Sequence, residues 1–334
     1  MKKAAFFSLL ILTMNSCINS PEVSEKTIKP EKFINTEPYS VNVKSDYVTK
    51  VSINGVLLAE VITPTSIMIP KGTQPTEEYI PKSEYPNMIT ENKSKLYQVV
   101  CFEDSRSGDY DYNDLVIHVK YQRQGNIFGF GVQPIALGST KDIRLGCTVY
   151  CGNTQIFDGL LSENTVRVQL FKGIDGIINT FDPQIKPVEQ IHKYFLGSTI
   201  RNWDISKFGS GIPNVEWYIL VDGNTKLYAL STSHLNQSFN KEGIPYGIVI
   251  TCTGVSYTDK GLECGFDWFN YPKETVHIKD VYPDIWKWLS TDATFDFSDF
   301  YSKDNIPENA LAASDLGLFI SDEVNVCDSK FRVE

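Results

Sequence analysis

The chain has 334 residues, 42% hydrophobic and 22% charged, with a formal net charge of -10 from 31 Lys and Arg against 41 Asp and Glu. That is enough apolar matter for one large or two ordinary folded domains, which excludes global disorder. The acidic excess argues against a nucleic-acid partner, because phosphates select basic surfaces. No apolar run after the first sixteen residues approaches the ~20 that a membrane-spanning helix needs.

Residues 1–16 read as an export signal. Lys2 and Lys3 precede an apolar stretch, Ala4 to Leu12, and a short polar end. Leu12-Thr13-Met14-Asn15-Ser16-Cys17 resembles the lipobox of bacterial lipoproteins, with a small residue directly before a cysteine. The resemblance implies cleavage before Cys17, lipidation of that residue and an anchor in the outer membrane of the cell envelope, on its periplasmic or external face. Residues 17–38 are polar and without period, which predicts a tether. Within 39–95 two β-like runs, Tyr39 to Val43 and Val48 to Leu58, are followed by Pro70, Pro75, Pro81 and Pro86. Asn54-Gly55 is a hairpin signal. The expectation is a small β segment and a Pro-rich linker ahead of a main domain over 96–334.

From residue 96 onward, short β-branched and aromatic runs predict strands at Tyr97 to Phe102, Leu115 to Tyr121, Ile143 to Tyr150, Thr165 to Phe171, Val215 to Val221, Leu227 to Thr232 and Tyr246 to Cys252. In Leu115 to Tyr121 the odd positions are apolar, while His118 and Lys120 are polar, which predicts a half-buried strand. One amphipathic helix is expected over 280–290, capped by Asp280, with Pro283 in its first turn. The fold class is therefore all-β: an antiparallel, jelly-roll-like β-sandwich with one or two short helices near the C-terminus. Beyond Cys17 there are six cysteines, Cys101, Cys147, Cys151, Cys252, Cys264 and Cys327. In an exported chain that even number predicts at least one disulfide, with connectivity open.

The segment 103–114 carries the chemistry. Glu103, Asp104, Asp109, Asp111 and Asp114 stand against one cation, Arg106. Crowded carboxylates repel unless a cation neutralises them. Asp109, Asp111 and Asn113 alternate, so an extended or turning backbone can aim three oxygens at one point, and Asp104 and Asp114 can close the shell. Hard oxygen ligands in that number suit Ca²⁺. The run is not an EF-hand, because Asp114 and Lys120 stand where that loop needs Gly and Glu. The competing reading is a solvated acidic loop whose Asp and Asn side chains cap turns.

Phe102-Glu103-Asp104 and Gly108-Asp109-Tyr110-Asp111-Tyr112-Asn113-Asp114-Leu115-Val116 resemble the signature of the LruC-domain family of bacterial, mainly Bacteroidetes, envelope lipoproteins. Gly243 to Ile248, Phe269 to Glu274, Val281-Tyr282 and Trp286-Lys287-Trp288 are similar to later stretches of that family, in the same order. The likeness spans about 97–302. It implies a β-rich envelope domain with a calcium loop and no established activity.

Four histidines, His118, His192, His234 and His277, show no metalloprotease spacing, and the sequence has no Gly-x-Ser-x-Gly elbow and no phosphate loop. Glu274 is a candidate for a glycosidase-type carboxylate pair. The expectation is nevertheless a non-enzyme, a binding or adhesion module at the cell surface. Trp203, Trp217 and Trp268 are candidate platforms for a glycan or protein partner. The alternatives are a structural subunit of an envelope assembly and a carbohydrate-active hydrolase.

Overall fold

A computed structural model describes residues 29–86, 89–151, 153–171, 173–179, 196–200, 213–231, 233–252, 255–258, 261–264, 269–295, 307, 309–310 and 325–328. The export signal, Cys17, Trp203 and Trp268 lie outside the described residues, as does most of the tether.

The early strands are β1 (Thr36–Val41), β2 (Tyr47–Ile53), β3 (Val56–Val61), β4 (Thr65–Pro70) and β5 (Thr76–Pro81). Next come β6 (Lys93–Phe102), β7 (Leu115–Gln124), β8 (Ile127–Leu137), β9 (Ile143–Cys151) and β10 (Thr154–Leu160). The later strands are β11 (Ile178–Asn179), β12 (Leu196–Ile200), β13 (Asn214–Val221), β14 (Thr225–Ala229), β15 (Gly247–Cys252), β16 (Val255–Thr258) and β17 (Gly261–Cys264). Among the described residues the short α-helices are α1 (Val166–Gln169), α2 (Leu235–Ser238), α3 (Ile278–Val281) and α4 (Pro283–Ser290).

The pairings are antiparallel, and the class is the all-β one expected. A nine-stranded sheet runs β11-β8-β7-β6-β3-β2-β5, with β12 also on β8 and β15 also on β6. A four-stranded sheet, β10-β9-β13-β14, faces it. Between them lies one apolar core, to which β6 gives Leu96, Val100 and Phe102, and β13 gives Trp217, Ile219 and Val221. The opposite face of β6 gives Tyr97, Val99 and Cys101 to a second core, closed by Ile67 and Ile69 of β4 and by Ile285, Trp288 and Leu289 of α4. The central strand β6 thus separates two cores, which is why it is apolar on both faces from Leu96 to Phe102, Gln98 apart.

Local signals account for several elements. Asn54 and Gly55 take left-handed backbone (φ 49° and 83°), forming the two-residue turn between β2 and β3. The expected C-terminal helix is two helices. His277 caps α3 by accepting from Lys279 N at 3.0 Å, and Pro283 opens α4 in the first turn, where no N–H is needed. Asp280 is therefore inside α3, not its cap.

Other expectations are corrected. Thr165 to Phe171 is not a strand: Thr165 caps α1, accepting from Val168 N at 3.4 Å, and a local cap outweighs the β preference of Val166 and Val168. β7 is buried on both faces, since His118 and Lys120 are each 1% exposed. The Lys120 ammonium stands 5.6 Å from the Tyr97 ring centroid. β3 pairs with the start of β6, Ala59 with Ser94 and Glu60 with Lys93. Trp217 is no platform. It is fully buried, edge-on to Phe130 at 5.5 Å, and donates to Tyr121 Oη at 2.6 Å.

Cys101, Cys147 and Cys327 are buried thiols. Cys147 and Cys151 lie four residues apart on one extended strand. That separation is about 13 Å, beyond disulfide reach. The side chains of Cys252 and Cys264 lie outside the described residues.

Candidate metal centre

The acidic segment joins β6 to β7 at one end of the large sheet. Phe102, paired with Leu115, holds the two ends of the loop together. Several of the stretches that resemble the LruC-domain family meet here. Glu103 N donates to Tyr246 O at 2.8 Å, and Tyr112 Oη to Pro245 O at 2.9 Å. Ile278 N donates to Tyr110 O at 2.8 Å, and the Tyr110 ring packs on Trp286 at 5.4 Å. Tyr110 and Tyr112 both take positive φ (58° and 55°). Between these two residues in the sparsely allowed left-handed region lies Asp111, which is buried.

Three carboxylates converge. One oxygen each from Glu103, Asp109 and Asp111 lies within 4.8 Å of the others. Glu103 and Asp111 are each 1% exposed, whereas Asp109 is exposed. Backbone amides hold the two buried groups. Glu103 Oε1 accepts from Tyr112 N at 2.7 Å and Oε2 from Tyr110 N at 3.3 Å. Asp111 Oδ2 accepts from Thr275 N at 2.8 Å and Oδ1 from Asn113 N at 3.3 Å. A side chain at Gly108 would collide with the Glu103 carboxylate, so glycine there makes room for the buried acid.

Beside the triad sit Asp104, Asn113, Asp114 and Glu274. Asp114 Oδ2 accepts from Asp104 N at 2.7 Å. Asp104 Oδ1 pairs with Lys141 Nζ at 2.6 Å, and its other oxygen accepts from Ser139 Oγ. Asn113 is 2% exposed and donates from Nδ2 to Pro272 O at 3.3 Å, while its Oδ1 has no partner among the described residues.

Burial, reinforced by neighbouring negative charges, raises the acid pKa values. Burial pushes Glu103 well up, reinforced by the charges of Asp114 and Asp111. Asp111 is raised to about 7 by burial and by Asp109. Asp114 is raised to about 7 by burial and by Asp104. Glu274 is raised to about 7 by burial and by Asp114. Carboxylates so placed are costly as free anions, and a cation would relieve them.

Of the five ligands expected from sequence, the structure brings Asp109 and Asp111 into the triad, and the third member is Glu103. Asp104 is engaged by Lys141, while Asn113 and Asp114 lie on the side toward Glu274. The acidic triad could hold a metal ion. Glu103 was visible as part of the run, but nothing in its spacing showed that it turns inward. Glu274 stands 160 positions after Asp114, and although it is a candidate carboxylate by itself, no local pattern ties it to the acidic run.

No protein-family model and no curated protein matches the chain, so the likeness to LruC-domain proteins rests on the motifs alone. Among solved structures, the chain is similar to a "putative lipoprotein from Bacteroides ovatus", with 11% identity, a TM-score of 0.38, and coverage of 84% of this chain and 94% of that one.

Proposed function

We propose that this is a lipid-anchored cell-envelope protein, held through Cys17, whose 103–114 loop binds Ca²⁺, and that it acts by binding or adhesion rather than turnover. The observation that carries the reading is the Glu103–Asp109–Asp111 triad, whose oxygens share one 4.8 Å neighbourhood. Oxygens around a cation at ~2.3–2.6 Å lie up to about 5 Å apart, so the spacing suits calcium. The fit extends beyond charge. Glycine at 108 leaves room for the Glu103 carboxylate, which a Cβ there would strike.

The ligand set supports a structural role for the ion. Glu103 and Asp111 are closed from solvent and their oxygens are already oriented by backbone amides. An ion held there closes the 103–111 loop on itself, which stiffens this end of the sandwich. Binding to the native state alone stabilises by mass action. Calcium should therefore raise the thermal midpoint of the purified chain relative to chelator, by several degrees at concentrations well above Kd. An Asp109→Ala, Asp111→Ala variant should lose most of that shift. Equal midpoints with and without calcium would remove the ground for the proposal, as would a double variant that responds like the parent.

A further inference from the structure

We infer that the chain has a second cation position beside the first, formed by Asn113 Oδ1, Glu274 and Asp114 against Gly138; this rests on the calcium reading of the loop. The orientation of Asn113 decides the matter. Pro272 O can only accept a hydrogen bond, so the amide nitrogen of Asn113 must face it, at 3.3 Å. Its Oδ1 is thereby turned the other way, buried and without a donor among the described residues. A buried acceptor left so is costly.

What it faces is another acceptor. Asn113 Oδ1 and Glu274 Oε2 lie 2.5 and 2.6 Å from the point where a side chain at Gly138 would begin, and Asn113 O lies 3.0 Å from it. Gly138 is held there by donating to Asn113 O at 3.0 Å. Three oxygens thus converge around one glycine, and Asp114 is the charged group that acts most strongly on Glu274. A water could satisfy two of them, but it would leave the carboxylate charges unbalanced.

Charge gives the count. Glu103, Asp104, Asp109, Asp111, Asp114 and Glu274 meet at this end of the sheet, and Lys141 pairs with Asp104. One divalent ion at the triad leaves the Asp114–Glu274 side in excess. A second hard divalent ion, bound by two carboxylates and an amide oxygen, offsets the two charges of that side. The two positions would also differ in what they join. The first closes the 103–114 loop on itself, and the second ties it to the segment carrying Pro272 and Glu274.

Calcium stoichiometry on the purified full chain, by isothermal titration and native mass spectrometry with CaCl₂ alone, tests this. The expected result is two ions per chain, falling to one in Glu274→Gln. Gly138→Ala keeps every charge but puts a methyl group among the converging oxygens, and it should lose the same ion. Two ions in wild type with both variants at one supports the second position. One ion in wild type and still one in Glu274→Gln, with unchanged circular dichroism, overturns it and leaves the calcium loop standing. No ion in wild type overturns both.

Discussion

The unusual residues of this chain are acids kept out of water. In the folded state, Asp111, Asp114 and Glu274 release their protons near pH 7, against about 4 for such groups in an unfolded chain. Between those values the native state binds more protons than the unfolded one, so its stability falls as pH rises. The contribution is fully present below about pH 4 and is lost through about pH 7. In chelator, the thermal midpoint should therefore drop between pH 5 and pH 8, and saturating calcium should remove the drop, because the ion favours the ionised form. An Asp111→Asn variant in chelator should show a smaller drop. A midpoint in chelator that climbs over the same interval would contradict the placement of these acids.

At the scale of elements, the informative pieces are those that a propensity reading passes over. β8 contains Gly129, Gly131 and Pro134, residues that weaken any strand expectation. Its geometry explains one of them. A Cβ at Gly129 would strike the carbonyl of Val326, so the glycine lets the 325–328 turn lie directly on the strand. There Val326 N donates to Gln122 Oε1 at 3.2 Å, and Cys327 is 4% exposed. Gly129→Val should cost about 1–3 kcal/mol by overpacking and lift that turn. Under native conditions Cys327 should then alkylate while Cys101 stays inert, as read by mass spectrometry. Equal protection of Cys327 in variant and parent would show that the turn is held elsewhere. The acidic loop teaches the same lesson. Its own residues could be read as a ligand run, yet Thr275 N, which fixes Asp111, and Glu274 reach it only because α3 docks on Tyr110.

Across the whole molecule, two cores share one sheet, and the described residues hold no helix long and apolar enough to cross a membrane. Under the proposed function, membrane attachment is through Cys17, separated from the first described strand by a polar stretch. A chain tethered in this way should keep its fold when released. Cys17→Ala should move the protein from the membrane fraction to the soluble one while leaving its calcium-dependent melting shift intact. Retention of the variant in washed membranes would point to another means of attachment.

The order of residues along the chain was enough to settle what neighbours within a few positions decide. The Asn54-Gly55 turn, the β character of β6 and β7 and the density of acids at 103–114 are local facts, set by backbone sterics and by charge per length of chain. Which acids face inward, the arrival of Glu274 and Pro272 at Asn113, and the burial of His118 and Lys120 belong to the tertiary structure. They depend on the stacking of two sheets and two helices around β6, and such contacts join segments too far apart in sequence for any local pattern to register them.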